Sequence, residues 1–157
     1  MTSDRAAAYR LVPQPPRVED YRRLRDETGL HPKSETQAAA VLVGSWAFCH
    51  LRDDDGRVVA MGRAIGDGGW YFHLADVVTS PRHQRRGLGR QVVDWLLEQI
   101  DTRAPEGAYV SLTASAAGHP LFGHVGFRDV AAPQGVAMEM VRPGRAERRE
   151  TAAPSSR

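Results

Sequence analysis

Cysteine is nearly absent from this chain. Cys49 stands alone, which excludes an intramolecular disulfide and any multi-cysteine metal site. It lies in an apolar stretch, Trp46-Ala47-Phe48-Cys49, so a buried, inert thiol is expected. Long apolar runs are missing as well: none approaches the roughly eighteen residues a membrane-spanning helix needs. Residues Met1 to Arg10 are polar and carry no secretory apolar region, so a cytoplasmic location is expected, with no membrane partner. Lysine is reduced to Lys33 among 21 basic residues, a bias assigned to coding composition and not to function. The formal net charge of +2 is small and local. Of the 21 basic and 19 acidic residues, four Arg and two Glu fall between Pro143 and Arg157, leaving 17 of each in the body. A neutral body argues against a nucleic-acid track and for a small anionic ligand held by a local cluster.

At 157 residues the chain has room for one domain with one good core, assigned to residues 1–142, followed by a charged tail, 143–157, expected to be disordered. Tyr9 to Val12 reads as a first strand, stopped by Pro13 and Pro15-Pro16. Val18 to Thr28 carries a helical stripe and ends at Gly29. Ser34-Glu35-Thr36-Gln37 has the form of a capping box opening a second helix to about Val43. Strands are predicted over Ser45–Leu51, Val58–Ile65, Trp70–Thr79, Ala108–Thr113, Phe127–Val130 and Val136–Val141. A long helix runs to about Asp101 and a short one spans Pro120 to Val125. Asp53-Asp54-Asp55-Gly56 signals a hairpin turn; a calcium loop would need a Glu where Gly62 stands. Helices and strands without strict alternation give an α+β class.

The most informative stretch is Gln84-Arg85-Arg86-Gly87-Leu88-Gly89-Arg90-Gln91-Val92. It follows the predicted strand Trp70–Thr79 and opens the long helix. The first N–H groups of a helix lack intrahelical acceptors, and the dipole adds partial positive charge there. Gly87 and Gly89 let a diphosphate approach the backbone. Arg82, Arg85, Arg86 and Arg90 crowd the same turn and can pair with phosphate oxygens. No Gly-Lys-Ser/Thr follows, so this is not a Walker loop, and Val92 stands where a dinucleotide fingerprint needs its third glycine.

What remains, Gln-x-x-Gly-x-Gly after Val78-Thr79-Ser80-Pro81, resembles the acetyl-CoA signature of the GNAT superfamily of N-acetyltransferases. Some thirty residues on, Leu121-Phe122-Gly123-His124-Val125-Gly126-Phe127 is similar to that superfamily's Leu-Tyr-x-x-x-Gly-Phe segment. The resemblance covers Tyr9 to Arg142. It implies one α+β domain whose central, mixed and mostly antiparallel sheet is flanked by helices and splays to hold coenzyme A. Acetyl-CoA is then the co-substrate. Its pantetheine arm pairs with Val77, Val78 and Thr79, and its diphosphate lies on Gln84, Arg85, Arg86, Gly87, Leu88, Gly89 and Arg90. A homodimer is carried as an expectation because dimers are common in that superfamily. The implied reaction moves an acetyl group to the primary amine of a small molecule. The alternatives are a protein or peptide acceptor, or an acyl-CoA-binding module without turnover. No metal is expected.

Three requirements attend acyl transfer to an amine: a polarised thioester, an unprotonated amine and a protonated leaving thiolate. A backbone N–H near Val78 or Thr79 suits the first. For the second, Asp76 and His73 are the candidate bases. Three residues apart on one strand, they point to opposite faces unless a bulge intervenes. For the third, Phe122 replaces the superfamily's usual tyrosine and cannot donate a proton, which leaves water, Ser115, His119 or His124. Tyr21, Trp46 and Tyr71, with Trp70, are candidates for an aromatic acceptor wall.

Overall fold

The computed structural model describes residues 8–130. Five strands form one sheet in the order β1-β2-β3-β4-β5: β1 (Arg10–Val12), β2 (Ala47–Arg52), β3 (Val58–Gly66), β4 (Tyr71–Thr79) and β5 (Tyr109–Leu112). The first three pairings are antiparallel and the last, β4 with β5, is parallel. The helices are α1 (Val18–Glu27), α2 (Glu35–Gly44), α3 (Leu88–Arg103) and α4 (His119–His124). The boundaries lie within a few residues of those predicted.

Each helix forms where its sequence pattern says and buries the face that pattern offers. In α3, Leu88, Val92, Leu96 and Ile100 recur every fourth residue, so they make one row, and all four are buried with Val93. That row lies on the sheet over Gly62, where a Cβ would run into Val92 and crowd Leu96. On the other face Tyr21, Leu24 and Ala38 of α1 and α2 pack with Phe48, Val58 and Met61. Burying each such side chain contributes about 1.5–3 kcal/mol. The capping box of α2 is present in both halves: Gln37 N–H donates to Ser34 Oγ and Ser34 N–H to Gln37 Oε1, each at 3.1 Å. The triple-Asp stretch is the turn expected, with Asp53 Oδ1 accepting from the N–H groups of Asp55 and Arg57 and Gly56 at φ 77°.

The chain divides into two compact units, residues 1–126 and 127–157. Of the second, only Phe127–Val130 is described, and the strand predicted there is not formed. Its four residues include Arg128-Asp129, too little apolar alternation for the predicted strand. The strand predicted over Val136–Val141 and the tail 143–157 lie outside the described residues.

Candidate active site

The site is organised by a fault in β4. Its register against β3 shifts between Met61 and Arg63, so one extra residue of β4 stands opposite Gly62. Asp76, in that stretch, takes a left-handed conformation at φ 54°, rare for a residue with a side chain but tolerated by Asp. Two consequences follow. Pairing with β5 covers only Tyr71–Leu74 against Tyr109–Leu112, so from Ala75 to Thr79 the β4 edge facing β5 has no ladder partner among the described residues. The alternation of faces also breaks, and Asp76 and His73 both turn toward Arg63 of β3. Arg63 Nε bonds Asp76 Oδ2 at 2.7 Å, and its charge helps to lower the His73 pKa. The bulge, named above as the exception to opposite faces, is present.

Asp76 is fully engaged. Arg25 Nη1 pairs with Oδ1, while Oδ2 accepts from Arg63 and, at 2.7 Å, from the Tyr21 hydroxyl. The side chains of Arg25 and Asp76 are each 8% exposed and that of Arg63 is 15% exposed. Arg25 further donates from Nε and Nη2 to the His31 carbonyl, at 3.2 and 2.7 Å, fixing the loop between α1 and α2. Burial, reinforced by the hydrogen bond to Asp76, pushes the Tyr21 hydroxyl up to about 12. At 1% exposure Tyr21 is core and cannot stand on an acceptor wall, a correction explained by the anchor its hydroxyl finds beneath the sheet. The Arg25–Asp76–Arg63 network joins residues far apart in the sequence. Its one local signal was Arg25, four residues after Tyr21 on the buried stripe of α1.

His73 is half-buried, with Nδ1 2.9 Å from Ser111 Oγ of β5. Burial, then the nearby Arg63 charge, holds its pKa below the usual histidine value. Tyr71 and Tyr109, paired in the same ladder, stack at 5.3 Å, and Trp70 meets Tyr71 edge-on at 5.5 Å. All three are exposed. Trp46 stands apart from them, against Phe72 at 4.7 Å and beneath the Arg103 guanidinium at 4.0 Å. It lines a groove of about 270 Å³ with Trp95, Leu42 and Phe48, away from the His73–Ser111 pair.

At the far end of β4 the predicted loop takes the shape its glycines require. A turn of 3-10 helix, Pro81–His83, leads to Arg85 at φ 61° and Gly87 at φ 78°, which caps α3 with no side-chain acceptor and no acidic residue in the first turn. Among the described residues, no side chain caps the leading N–H groups of α3. Gln84 Nε2 donates to the Thr79 carbonyl at 3.1 Å, fastening the loop to the strand. A Cβ at Gly89 would lie 3.2 Å from Leu121 Cδ2 and 3.8 Å from Thr79 Oγ1, so the two sequence motifs meet here. Arg85 is exposed, Arg86 reaches the Tyr9 hydroxyl at 3.1 Å, and Arg90 is held by Asp94 one turn on. Val78 packs on the α1 face and Val77 lies beside Gly62, leaving their backbone on the open edge. Leu88 is buried and anchors the helix start. Phe122 is buried, and Ser115 Oγ accepts from the Gly118 N–H at 3.1 Å just before α4.

Comparison with known proteins agrees with this geometry. Residues 25–138 match the model of the acetyltransferase (GNAT) domain. A Staphylococcus aureus protein of unknown function, described as a probable acetyltransferase, is 28% identical, with a TM-score of 0.79 over 86% of this chain and 100% of its own. The ribosomal-protein-S18-alanine N-acetyltransferase of Escherichia coli shares the fold at 19% identity and TM-score 0.66, over 79% of this chain and 80% of its own. The glucosamine-6-phosphate N-acetyltransferase of Arabidopsis thaliana does so at 16% identity and TM-score 0.63, over 85% of this chain and 98% of its own. No curated protein matches the sequence. No described helix is long and apolar enough to cross a membrane. The chain belongs to the GNAT family and is an N-acetyltransferase built on one α+β domain, with acetyl-CoA the donor its family uses.

Proposed function

We propose that this enzyme transfers the acetyl group of acetyl-CoA to the primary amine of a small molecule, with His73 as the base. The observation that carries the donor half is the β4 edge from Ala75 to Thr79, which among the described residues is unpaired toward β5 and runs directly into an uncapped glycine turn. Val77, Val78 and Thr79 offer backbone groups to the amides of a pantetheine arm. The N–H groups of Leu88, Gly89 and Arg90, with the Gln84–Gly87 turn and its arginines, suit a diphosphate. A backbone N–H on that edge aimed at the developing oxyanion supplies about 3 kcal/mol.

An alkylammonium must lose a proton before it attacks, which costs roughly 4 kcal/mol at neutral pH. His73 suits that task because its lowered pKa keeps it neutral at pH 7. Asp76 suits it less, since both carboxylate oxygens are already taken by Arg25, Arg63 and Tyr21. Asp76 instead holds the bulge and α1 in place. One feature favours a peptide or protein acceptor: Trp70, Tyr71 and Tyr109 present a continuous aromatic row to solvent at 59%, 44% and 45% exposure. Phe122 leaves the thiolate, with an ordinary pKa near 8.5, to be protonated by solvent.

The test is a thermal melt with and without acetyl-CoA, then an amine and peptide panel followed by thiol release. Ligand at a hundredfold its Kd adds about 2.7 kcal/mol, a rise of several degrees. Turnover of small amines, reduced by about 100-fold or more in His73→Gln, supports the reading. Binding without any turnover would make the chain a CoA-binding module, and turnover of peptides alone would transfer the assignment to them.

A further inference from the structure

His73 sits one rung before the β4–β5 ladder ends, opposite Ser111. The Ser111 hydroxyl has two neighbours: His73 Nδ1 at 2.9 Å and the Phe72 carbonyl oxygen at 3.4 Å. A hydroxyl has one proton to give, and a carbonyl oxygen can only accept. With that proton directed to Phe72 O, Ser111 Oγ can only accept from the imidazole. Nδ1 must then carry the hydrogen, and the lone pair is left on Nε2.

We propose that Ser111 is a positioning residue of this acetyl transfer: it fixes His73 in the Nδ1–H tautomer and so makes Nε2 the atom that takes the proton of the acceptor amine. This rests on the acetyltransferase reading with His73 as base. In the balanced step Nε2 takes one proton from the alkylammonium, the freed amine nitrogen bonds to the acetyl carbon, and the second proton that nitrogen sheds passes to solvent. The C–S bond breaks with its electron pair on sulfur, which solvent protonates, and the imidazolium returns its proton to solvent. Throughout, Nδ1–H keeps the same acceptor, and the chain Nδ1–H to Ser111 Oγ–H to Phe72 O delocalises the positive charge toward a fixed backbone dipole. The ring need neither rotate nor change partner between the two states. Burial, then the nearby Arg63 charge, holds the His73 pKa below its usual value.

The first measurement needs no turnover. Nitrogen-15 NMR of the full chain above the His73 pKa should show a pyrrole-type Nδ1 and a pyridine-type Nε2. Ser111→Ala should erase that preference and Ser111→Thr, which keeps the hydroxyl, should restore it. A wild-type ring protonated on Nε2 would overturn the assignment. The second measurement compares two acceptors. Ser111→Ala should lower kcat about 10-fold for an alkylamine, leave the KM for acetyl-CoA unchanged, and leave an alkoxyamine, already neutral at pH 7, almost unaffected. Equal losses for both amines, or no loss for either, would reduce Ser111 to a stitch between two strands. If acetyl-CoA fails to raise the melting midpoint of the wild type, the donor reading has failed, whereas the tautomer result reports on Ser111 alone.

Discussion

The two flanks of β4 solve opposite problems. Toward the glycine turn, recognition is left to backbone: among the described residues, five residues of strand edge lack a ladder partner and the first N–H groups of α3 lack a capping side chain, ringed by exposed guanidinium groups. Toward α1, recognition is closed: two guanidinium groups, a carboxylate and a phenol satisfy one another, and among the described residues no buried side-chain nitrogen or oxygen lacks a partner. The open flank can take a donor whose amides and diphosphate are fixed chemistry. The closed flank holds the bulge at Asp76, three residues beyond His73. Affinity for the donor and integrity of the acceptor face should therefore be separable by mutation.

Asp76→Ala should be the most severe change. It leaves Arg25 and Arg63 uncompensated in a buried site, a loss of about 3–5 kcal/mol in urea unfolding; a loss below about 1 kcal/mol would show that the closed flank is screened by water. Gly89→Val should leave the unliganded midpoint nearly intact while removing the acetyl-CoA-induced gain of about 2.7 kcal/mol, because its side chain faces Leu121 and Thr79 at the loop. An unchanged gain would remove the loop from the donor site.

Acidity probes the closed flank and the core together. His50, 1% exposed with Nδ1 2.8 Å from the Gln14 carbonyl, and His73 both have folded pKa values below the ordinary 6.5, chiefly through burial. The unfolded chain therefore binds their protons first. Stability should be full above about 6.5 and fall as pH drops from there through the lower folded values, by up to about 1.4 kcal/mol per unit for each fully linked group. A melting midpoint that did not fall between pH 7.5 and 5.5 would contradict the burial of these rings. The smallest effect belongs to Asp94→Ala. Its pair with Arg90 is half exposed on both sides, so stability should change by less than about 0.5 kcal/mol.

The same contrast explains what could be read before folding. Backbone recognition requires glycines at fixed spacing beside a helix start, and such patterns are local: Gln84 to Gly89 announced the turn, Ser34 and Gln37 the capping box, and the four-residue rhythm from Leu88 to Ile100 the buried row of α3. The closed flank is made of contacts across 51 and 55 residues, Arg25 with Asp76 and Tyr21 with Asp76, which no spacing encodes. Tyr21 read as a wall residue for that reason: a phenol on a helical stripe does not disclose where its hydroxyl will find a partner. A bulge could be raised as an exception, but no residue marked its place. Counting alternate faces along Trp70–Thr79 assumes an unbroken pleat, and Asp is one of the few residues that can break it without a glycine to mark the place.

A gap of unpaired rungs beside β5 is also an invitation to any extended polypeptide that passes by. The left-handed turn at Asp76 answers it. Strand capture between proteins needs a regular repeat of amides two residues apart, in phase with the host strand over several rungs. The extra residue in β4 puts the rungs before and after it out of phase, so a foreign strand in register at one end is out of register at the other. A pantetheine arm has only two amides joined by flexible methylenes and needs no such phase. The irregularity that opens the fork is thus also its guard against intermolecular strand pairing and aggregation.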